Sequence, residues 1–285
     1  MNWYKFRPLY LLISLAIIVP GVWSLLTYGL RLNVDFTGGS QITVSLPADQ
    51  TRLVEIAKEN LGEVETSLEG DKLTLSAKPI DQNELDRLQA DWSNQGIDAE
   101  LLSFVTVGPS AGRLLLRQTL LAAAVASIAI MVFISRAFKS LKYGVCAVLA
   151  MLHDTLVLLG SFSLLGHFLG IKVDLLFVTA VLTVLSFSVH DTIVLFDRAR
   201  EIKRLLPHAE YVDIANKAVT DAMVRSLNNS MTIIFMLLAL VLLGGETIRW
   251  FAVALLIGAI TGTYSSPFVA VPLVTFWTIL EDKRH

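Results

Sequence analysis

Six long apolar runs occupy most of the sequence and limit what the chain can fold into. They extend over Leu9–Leu30, Leu114–Ser135, Tyr143–Gly166, Val173–Phe196, Ser226–Leu243 and Trp250–Leu280. A helix needs about 17–25 mainly apolar residues to cross a bilayer. The composition agrees, since 54% of the residues are hydrophobic and 17% are charged, against about 25% charged in soluble domains. We therefore predict an α-helical membrane protein with six spans and exclude an ordinary soluble enzyme, a coiled coil and a disordered chain.

The first apolar run follows Lys5 and Arg7, a pattern that a secretory signal peptide shares. A signal peptide has an apolar region of about 7–15 residues before a small-residue cleavage site. This run is longer and leads into Tyr28-Gly29-Leu30-Arg31. We therefore expect residues 1–30 to form an uncleaved first span.

The sixth run is long enough to overrun the bilayer, and it contains Pro267 and Pro272. Proline removes a helical hydrogen bond, so we expect a break or kink there. The same run carries Gly258 and Gly262 at the spacing that lets two helices approach closely. This spacing alone indicates packing only.

Basic residues gather on one side of the predicted membrane, as the positive-inside rule requires of the cytoplasmic side. They are Lys5, Arg7, Arg136, Lys139, Lys142, Arg198, Arg200, Lys203, Arg204, Lys217, Arg225, Lys283 and Arg284. The short connections on the other side hold only Lys172 and Arg249, and Arg113 and Arg117 are exceptions. We expect both termini to be cytoplasmic.

Residues 31–112 form the one long segment between spans. Residues 31–110 hold 14 acidic and 6 basic residues. Alternation predicts strands at Ser40–Leu46, Glu63–Leu68, Asp71–Ala77 and Ile97–Val107, with a hairpin turn at Glu69-Gly70. Helical spacing predicts helices at Thr51–Leu61 and Asp81–Gln95. The order β-α-β-β-α-β is typical of a ferredoxin-like α+β domain, which we place outside the cytoplasm. Residues 113–285 then form a five-span membrane bundle.

The segment 197–225 is predicted to be a cytoplasmic amphipathic loop. Val212, Ala215, Val219 and Met223 recur at helical spacing, with polar residues between them. Such a helix either lies along the inner membrane surface or packs on the bundle as a soluble helix. The sequence favours neither arrangement over the other.

Two His-Asp pairs fall inside apolar runs: His153-Asp154 in span three and His190-Asp191 in span four. An ionisable side chain in a bilayer is costly and therefore indicates function by default. An apolar environment disfavours the charged carboxylate, which suits a proton carrier, and a histidine can act as a relay near neutral pH. Hydrogen bonding between helices is the structural alternative for all four residues. Arg225 either anchors span five or forms an ion pair with Asp191.

Other kinds of chemistry find no support in the sequence. The single cysteine, Cys146, excludes an intrachain disulfide and a cysteine metal cluster. No glycine loop for a nucleotide, nucleophile motif or metal-ligand spacing is present. We therefore expect no enzymatic activity, no cofactor or metal, and no nucleic-acid partner. Protons would be the coupling ion.

An ordered set of motifs resembles the SecF family, the smaller of two paired subunits of bacterial SecD–SecF protein-export complexes. Asp35-Phe36-Thr-Gly38-Gly39 matches the family's Asp-Phe-x-Gly-Gly signature. Further family-like motifs are Val107-Gly-Pro109, His153-Asp154, Ser188–Glu201 with Asp197 and Arg198, and Ile257–Ser266. The resemblance spans nearly the whole chain. One departure is His190, where the family usually has Asn.

The resemblance implies a member of the resistance-nodulation-division superfamily in the bacterial inner membrane. It implies use of the proton-motive force, together with SecD, to move secreted polypeptides through the SecYEG channel, with YajC and YidC as further candidate partners. By resemblance, Asp191 is the family's membrane acid, Arg225 its arginine at the start of span five, and Asp154 part of its His-Asp pair. Two alternatives remain: a lipid or drug transporter of the same superfamily, and a non-transporting scaffold subunit.

Overall fold

The computed structural model describes residues 2–47 and 49–283. A short 3-10 helix, Trp3–Phe6, precedes the first long helix. The elements are α1 Arg7–Thr27, α2 Val34–Thr37, β1 Gly39–Ser45, α3 Gln50–Leu61, β2 Glu65–Glu69, β3 Lys72–Ala77, α4 Gln82–Asn94, β4 Leu101–Val107, α5 Pro109–Ala137, α6 Leu141–Leu169, α7 Leu175–Leu205, α8 Tyr211–Leu243, α9 Glu246–Ser265 and α10 Val271–Asp282.

Six helical stretches of the described chain are long and apolar enough to cross a membrane. They are Trp3–Thr27, Pro109–Ala137, Leu141–Leu169, Leu175–Leu205, Tyr211–Leu243 and Ile248–Asp282. Their outer faces expose large apolar side chains, such as Leu26 on α1, Phe133 on α5 and Leu242 on α8. Water would penalise that exposure and lipid would not. The prediction of six long apolar helices is confirmed.

The chain divides into two compact units. The first holds the N-terminal residues to Leu30, Ala122–Ile171 and everything from Leu176 onward; the second holds Arg31–Leu121 and Lys172–Leu175. The predicted domain of residues 31–112 lies within the second unit. That unit also includes early turns of α5 and the connection between α6 and α7.

The second unit is built on a four-stranded antiparallel sheet with strand order β2-β3-β1-β4. Alternate strand residues point to one face, so Ile42, Val44, Leu73 and Leu75 are buried there. They join a core with residues of α3 and α4: Leu53, Ile56, Ala57, Leu85, Leu88 and Trp92. Asp81 and Glu84 form a capping box that starts α4.

The hairpin turn lies one residue later than predicted. Glu69 pairs with Lys72, so the two turn residues are Gly70 and Asp71. Gly70 has a φ of 57°, the left-handed conformation that tight hairpin turns require and that glycine adopts without steric cost.

The helix predicted within the segment 197–225 is present, but it is continuous with α8 instead of forming a separate helix between two spans. Helix α7 continues to Leu205 and α8 begins at Tyr211. Both helices extend past their apolar runs because they pack against each other through Ala199, Ile202, Ile214 and Ala218.

The amphipathic stretch is the first part of α8, and it packs on the bundle. Its apolar residues Ala215, Val219 and Ala222 lie in the main hydrophobic core of the first unit. Of the two arrangements considered for this stretch, the structure therefore shows packing on the bundle.

The sixth span is interrupted at the prolines, as the sequence predicted. A π-helical turn, Ser266–Ala270, separates α9 from α10. It contains Pro267, and Pro272 follows at the start of α10. Neither proline can donate a backbone hydrogen bond, which explains the altered helix at this point.

Candidate functional site

Asp154 is fully buried inside the bundle, and three neighbours contact its carboxyl group. Ser188 Oγ on α7 donates to Oδ2 at 2.5 Å, and Ser265 Oγ at the end of α9 donates to the same oxygen at 2.6 Å. His153 Nδ1 lies 3.0 Å from Oδ1. Three helices therefore meet at one carboxyl group.

Small residues allow α9 to reach this position. A side-chain carbon added at Gly262 would lie 3.3 Å from the Cα of Ser188, and one added at Gly258 would lie 2.0 Å from a methyl of Val184. The glycines at i and i+4 therefore face α7, and the following turn delivers Ser265 to Asp154. The π-helical turn begins at the very next residue.

A chain of polar groups continues from His153 toward α1. His153 Nε2 lies 3.0 Å from Ser14 Oγ. Ser14 Oγ lies 3.4 Å from the hydroxyl of Tyr264, which donates to the carbonyl oxygen of Tyr10 at 2.7 Å. The predicted pair His153-Asp154 is thus one part of a longer chain of hydrogen bonds.

A count of the hydrogen-bond donors shows that this row of hydrogen bonds, from Asp154 to Tyr10, has two possible arrangements of its protons. With an ionised Asp154, Nδ1–H donates to Asp154 and Ser14 donates to Nε2, so no hydrogen remains for the contact between Ser14 and Tyr264. With one more proton on the His-Asp pair, Nε2–H donates to Ser14, Ser14 to Tyr264, and Tyr264 to Tyr10. A single proton therefore reverses the donor direction from His153 to Ser14.

Asp191 occupies a second buried position, with 5% of its surface exposed. Ser226 Oγ on α8 donates to its Oδ2 at 2.9 Å. Ser230, one turn further along α8, lies near the same carboxyl group without forming a hydrogen bond of normal geometry. Helix α7 thus presents Ser188 to Asp154 and, three residues later, Asp191 to α8.

The structure does not join Arg225 to Asp191. Arg225 is exposed and belongs to none of the ion pairs found among the described residues. Ser226 takes the position next to Asp191 instead, because consecutive helix residues point about 100° apart. His190 is also exposed. Of the four predicted His and Asp residues, only His153 and Asp154 contact each other.

The glycine signature, Asp35–Gly39, lies in the second unit, where its two glycines let the backbone approach neighbouring segments closely. Gly38 has a φ of 76°, and a side-chain carbon there would lie 2.6 Å from the Cα of Pro109. One at Gly39 would lie 2.7 Å from the carbonyl oxygen of Ala77. Phe36 is buried beside them.

Asp35 of the same signature accepts a hydrogen bond at 3.2 Å from the backbone N–H of Leu175, the first residue of α7. The carboxylate therefore satisfies one of the free amide groups at a helix N-terminus. Asp197 and Arg198 belong to the separate family-like motif Ser188–Glu201. Arg198 forms ion pairs with Asp221 and Glu201, and Asp197 is exposed.

The hydroxyl partners of the two acids were not predicted from the sequence. They are Ser188 and Ser265 for Asp154 and Ser226 for Asp191. The hydroxyls that continue from His153, Ser14 and Tyr264, were not predicted either. One signal was available, since small polar residues inside apolar spans often hydrogen-bond between helices. Within the described residues, no group of three or more His, Cys, Asp or Glu side chains is arranged to hold a metal ion.

Two family models match this chain. Residues 88–279 match the family described as "Protein export membrane protein SecD/SecF, C-terminal", and residues 23–46 match the "SecD/SecF GG Motif". The second match contains Asp35, Phe36, Gly38 and Gly39.

Similar proteins agree with these matches. "Protein translocase subunit SecF" of Thermobaculum terrenum is 40% identical over 96% of this chain and 92% of its own length. "Protein translocase subunit SecDF" of Bacillus subtilis is 31% identical over 98% of this chain.

Among solved structures, the translocon-associated SecDF of Thermus thermophilus has a TM-score of 0.87 and 27% identity over 98% of this chain. The chain spans 38% of the Bacillus protein and 39% of the Thermus one. Matches to full-length SecF subunits and to part of the fused SecDF proteins have one explanation: this chain belongs to the SecF subunits of the SecD/SecF protein-export family.

Proposed function

We propose that this chain works with a SecD partner and uses the proton-motive force to promote export of polypeptides through the SecYEG channel. The observation that carries the proposal is the pair of buried carboxyl groups, Asp154 and Asp191, in the spans of a SecF family member. Ionisable groups at such positions are expensive and mark proton or ion paths in membrane proteins. The role is transport, without chemical catalysis.

In the proposed topology both termini lie in the cytoplasm and the domain of residues 31–112 lies outside the inner membrane. The supporting observation is charge. Lys139 and Lys142 lie between α5 and α6 or at the start of α6, and Lys203 and Arg204 lie at the end of α7. An even number of spans returns both termini to the same side.

The domain of residues 31–112 in the second unit is proposed to be ferredoxin-like. The support is its element order β1-α3-β2-β3-α4-β4 together with an antiparallel sheet in which β1 and β3 are central. This order is the one that ferredoxin-like domains share.

Coupling is proposed to run through α8. Ser226 contacts Asp191, and Arg225 is the preceding residue. Turning α8 by about 100°, one residue of an α-helix, would exchange the hydroxyl for the guanidinium. A neutral carboxyl group suits the hydroxyl, whereas an ionised one attracts the cation. Proton entry and release at Asp191 would thereby bias two positions of α8.

The test is reconstitution with the candidate partner. The full chain is expressed with a SecD-type protein and purified, and export is measured in vesicles with and without a proton gradient. Co-purification and gradient-dependent export are expected. Equal export with and without the gradient would indicate a non-transporting scaffold subunit. A stable homodimer that moves lipids or drugs would indicate another transporter of the superfamily.

A further inference from the structure

An open groove of about 670 Å³ lies in the membrane-spanning part of the first unit, between α1 and the π-helical turn with α10. One wall is a single stripe of α1: Arg7, Leu11, Ser14, Leu15 and Ile18. The spacing of these residues places them on one helix face. Phe268, Leu273 and Phe276 line the opposite wall, and His153 also lines the groove.

The groove is apolar along its length and cationic at one end. Leu11, Leu15 and Phe276 are 63%, 49% and 55% exposed. Arg7 lies at the end with its guanidinium 4.5 Å from the centre of the Tyr4 ring. Arg7 forms no ion pair among the described residues. A guanidinium held on an aromatic ring keeps its N–H donors in a plane that matches a phosphate.

The length of the groove fits one leaflet. Ile18 lies 11 residues after Arg7, which is a rise of about 16 Å at about 1.5 Å per residue. One leaflet contributes about half of a hydrocarbon core of about 30 Å. One acyl chain whose phosphate lies at Arg7 would therefore extend along the whole stripe.

From this arrangement we propose that the groove binds one anionic phospholipid, with its phosphate on Arg7 and one acyl chain along α1. The groove has a cation at one end and the length of one leaflet, and this complementarity selects an anionic phospholipid as the occupant. The acyl chain passes Ser14 and His153. The bound lipid therefore covers the outer side of the hydrogen-bond network that leads to Asp154. The site is independent of the function proposed above.

The test uses the full chain in phosphatidylcholine vesicles with a trace of spin-labelled phosphatidylglycerol or, separately, spin-labelled phosphatidylcholine. Electron paramagnetic resonance then measures the immobilised fraction of each label. The wild-type chain is expected to immobilise phosphatidylglycerol preferentially. Arg7→Gln should reduce that preference about fivefold, the effect of one basic residue near an anionic surface. Arg7→Lys should retain most of it.

Two control variants separate the groove from the general surface. Leu15→Trp fills the groove and should lower the immobilised fraction, whereas Leu12→Trp, on the same helix outside the groove, should not. Lys5→Gln removes a nearby cation that does not line the groove and should leave the preference unchanged. The proposal fails if Lys5→Gln acts like Arg7→Gln, or if Leu15→Trp has no effect. It also fails if a photo-crosslinker at Leu15 captures another protein instead of lipid.

Discussion

Ser188 Oγ donates a 2.5 Å hydrogen bond to Asp154 Oδ2, which joins α7 to α6 at the centre of the bundle. Asp191 lies three residues later on α7 and contacts α8. Both buried acids therefore depend on the position of one helix. A movement of α7 that lengthens one contact must also act on the other.

Replacing Ser188 by Ala should weaken both stability and coupling. The change leaves Asp154 with one hydroxyl donor fewer in a fully buried position, and we expect a loss of about 1–3 kcal/mol in the free energy of unfolding. Thermal unfolding of the full chain and gradient-driven export measure the two effects. Ser161→Ala is the matched control, because Ser161 on α6 donates only to the backbone of Val157. Equal behaviour of the two variants would contradict the role of Ser188.

Tyr264→Phe should change the tautomer of His153 while the fold persists. The variant removes the hydroxyl that accepts from Ser14 in the arrangement with the extra proton, so the Nε2–H tautomer should become less populated. Nitrogen-15 NMR of labelled histidine in the full chain reports the tautomer directly. Thr263→Val serves as the control, since Thr263 donates only to the backbone of its own helix. An unchanged His153 spectrum in Tyr264→Phe would show that the chain of hydrogen bonds ends at Ser14.

Gly38→Ala should destabilise the second unit far more than Gly62→Ala. Both glycines have positive φ, 76° and 83°, so each variant carries the strain of a left-handed conformation, about 1–2 kcal/mol. Only at Gly38 does the new carbon also meet Pro109 at 2.6 Å, whereas Gly62 faces open space. Overpacking adds about 1–3 kcal/mol. Fluorescence of the buried Trp92 during unfolding of the full chain compares the two, and similar losses would argue against close packing at the signature.

The ion pair between Lys172 and Glu65 should make a small, pH-dependent contribution to stability. Lys172 Nζ lies 2.8 Å from Glu65 Oε2, and this hydrogen bond and the lysine charge hold the pKa of Glu65 below its usual range. A lowered pKa stabilises the fold above the ordinary value of about 4.3, and the contribution disappears as the pH falls below it. Because the Glu65 side chain is 79% exposed, we expect at most about 1 kcal/mol.

Unfolding midpoints of Glu65→Gln and of the wild-type chain at pH 7 and pH 3.5 test this contribution. The variant should be less stable at pH 7 only, and high salt should reduce the difference. Glu63→Gln is the control, because Glu63 lines the same cleft and belongs to none of the ion pairs found among the described residues. A larger deficit of Glu65→Gln at pH 3.5 would contradict the sign.

Apolar run length predicted the spans well because a bilayer sets a minimum apolar length for every helix that crosses it. Run length did not predict the helix ends within 197–225. Charged and small residues extend α7 and α8 there, because the two helices pack against each other, and hydropathy does not detect such packing. Pro267 carried enough local information to predict the interruption of span six. The turn at Gly70 was misplaced by one residue because strand pairing, not the local sequence, decides where a strand ends.

The acids of the site were predictable, and their partners were not. A carboxyl group in an apolar run is conspicuous by itself, so Asp154 and Asp191 stood out. Ser188 and Ser265 lie 34 and 111 residues from Asp154, and nothing in a single sequence relates them. The choice between the two roles considered for Arg225, an anchor or a partner of Asp191, depends on helix rotation, which a sequence does not specify.

Proton coupling through Asp191 is tested most directly by gradient-driven export with Asp191→Asn, in vesicles that contain the full chain and its SecD-type partner. Asparagine keeps the size and hydrogen bonding of Asp191 but cannot take up or release a proton. We predict normal insertion and partner binding with complete loss of stimulation by the proton gradient, while Asp213→Asn, an exposed acid on α8, retains it. Full stimulation of Asp191→Asn by the gradient would contradict proton coupling through Asp191.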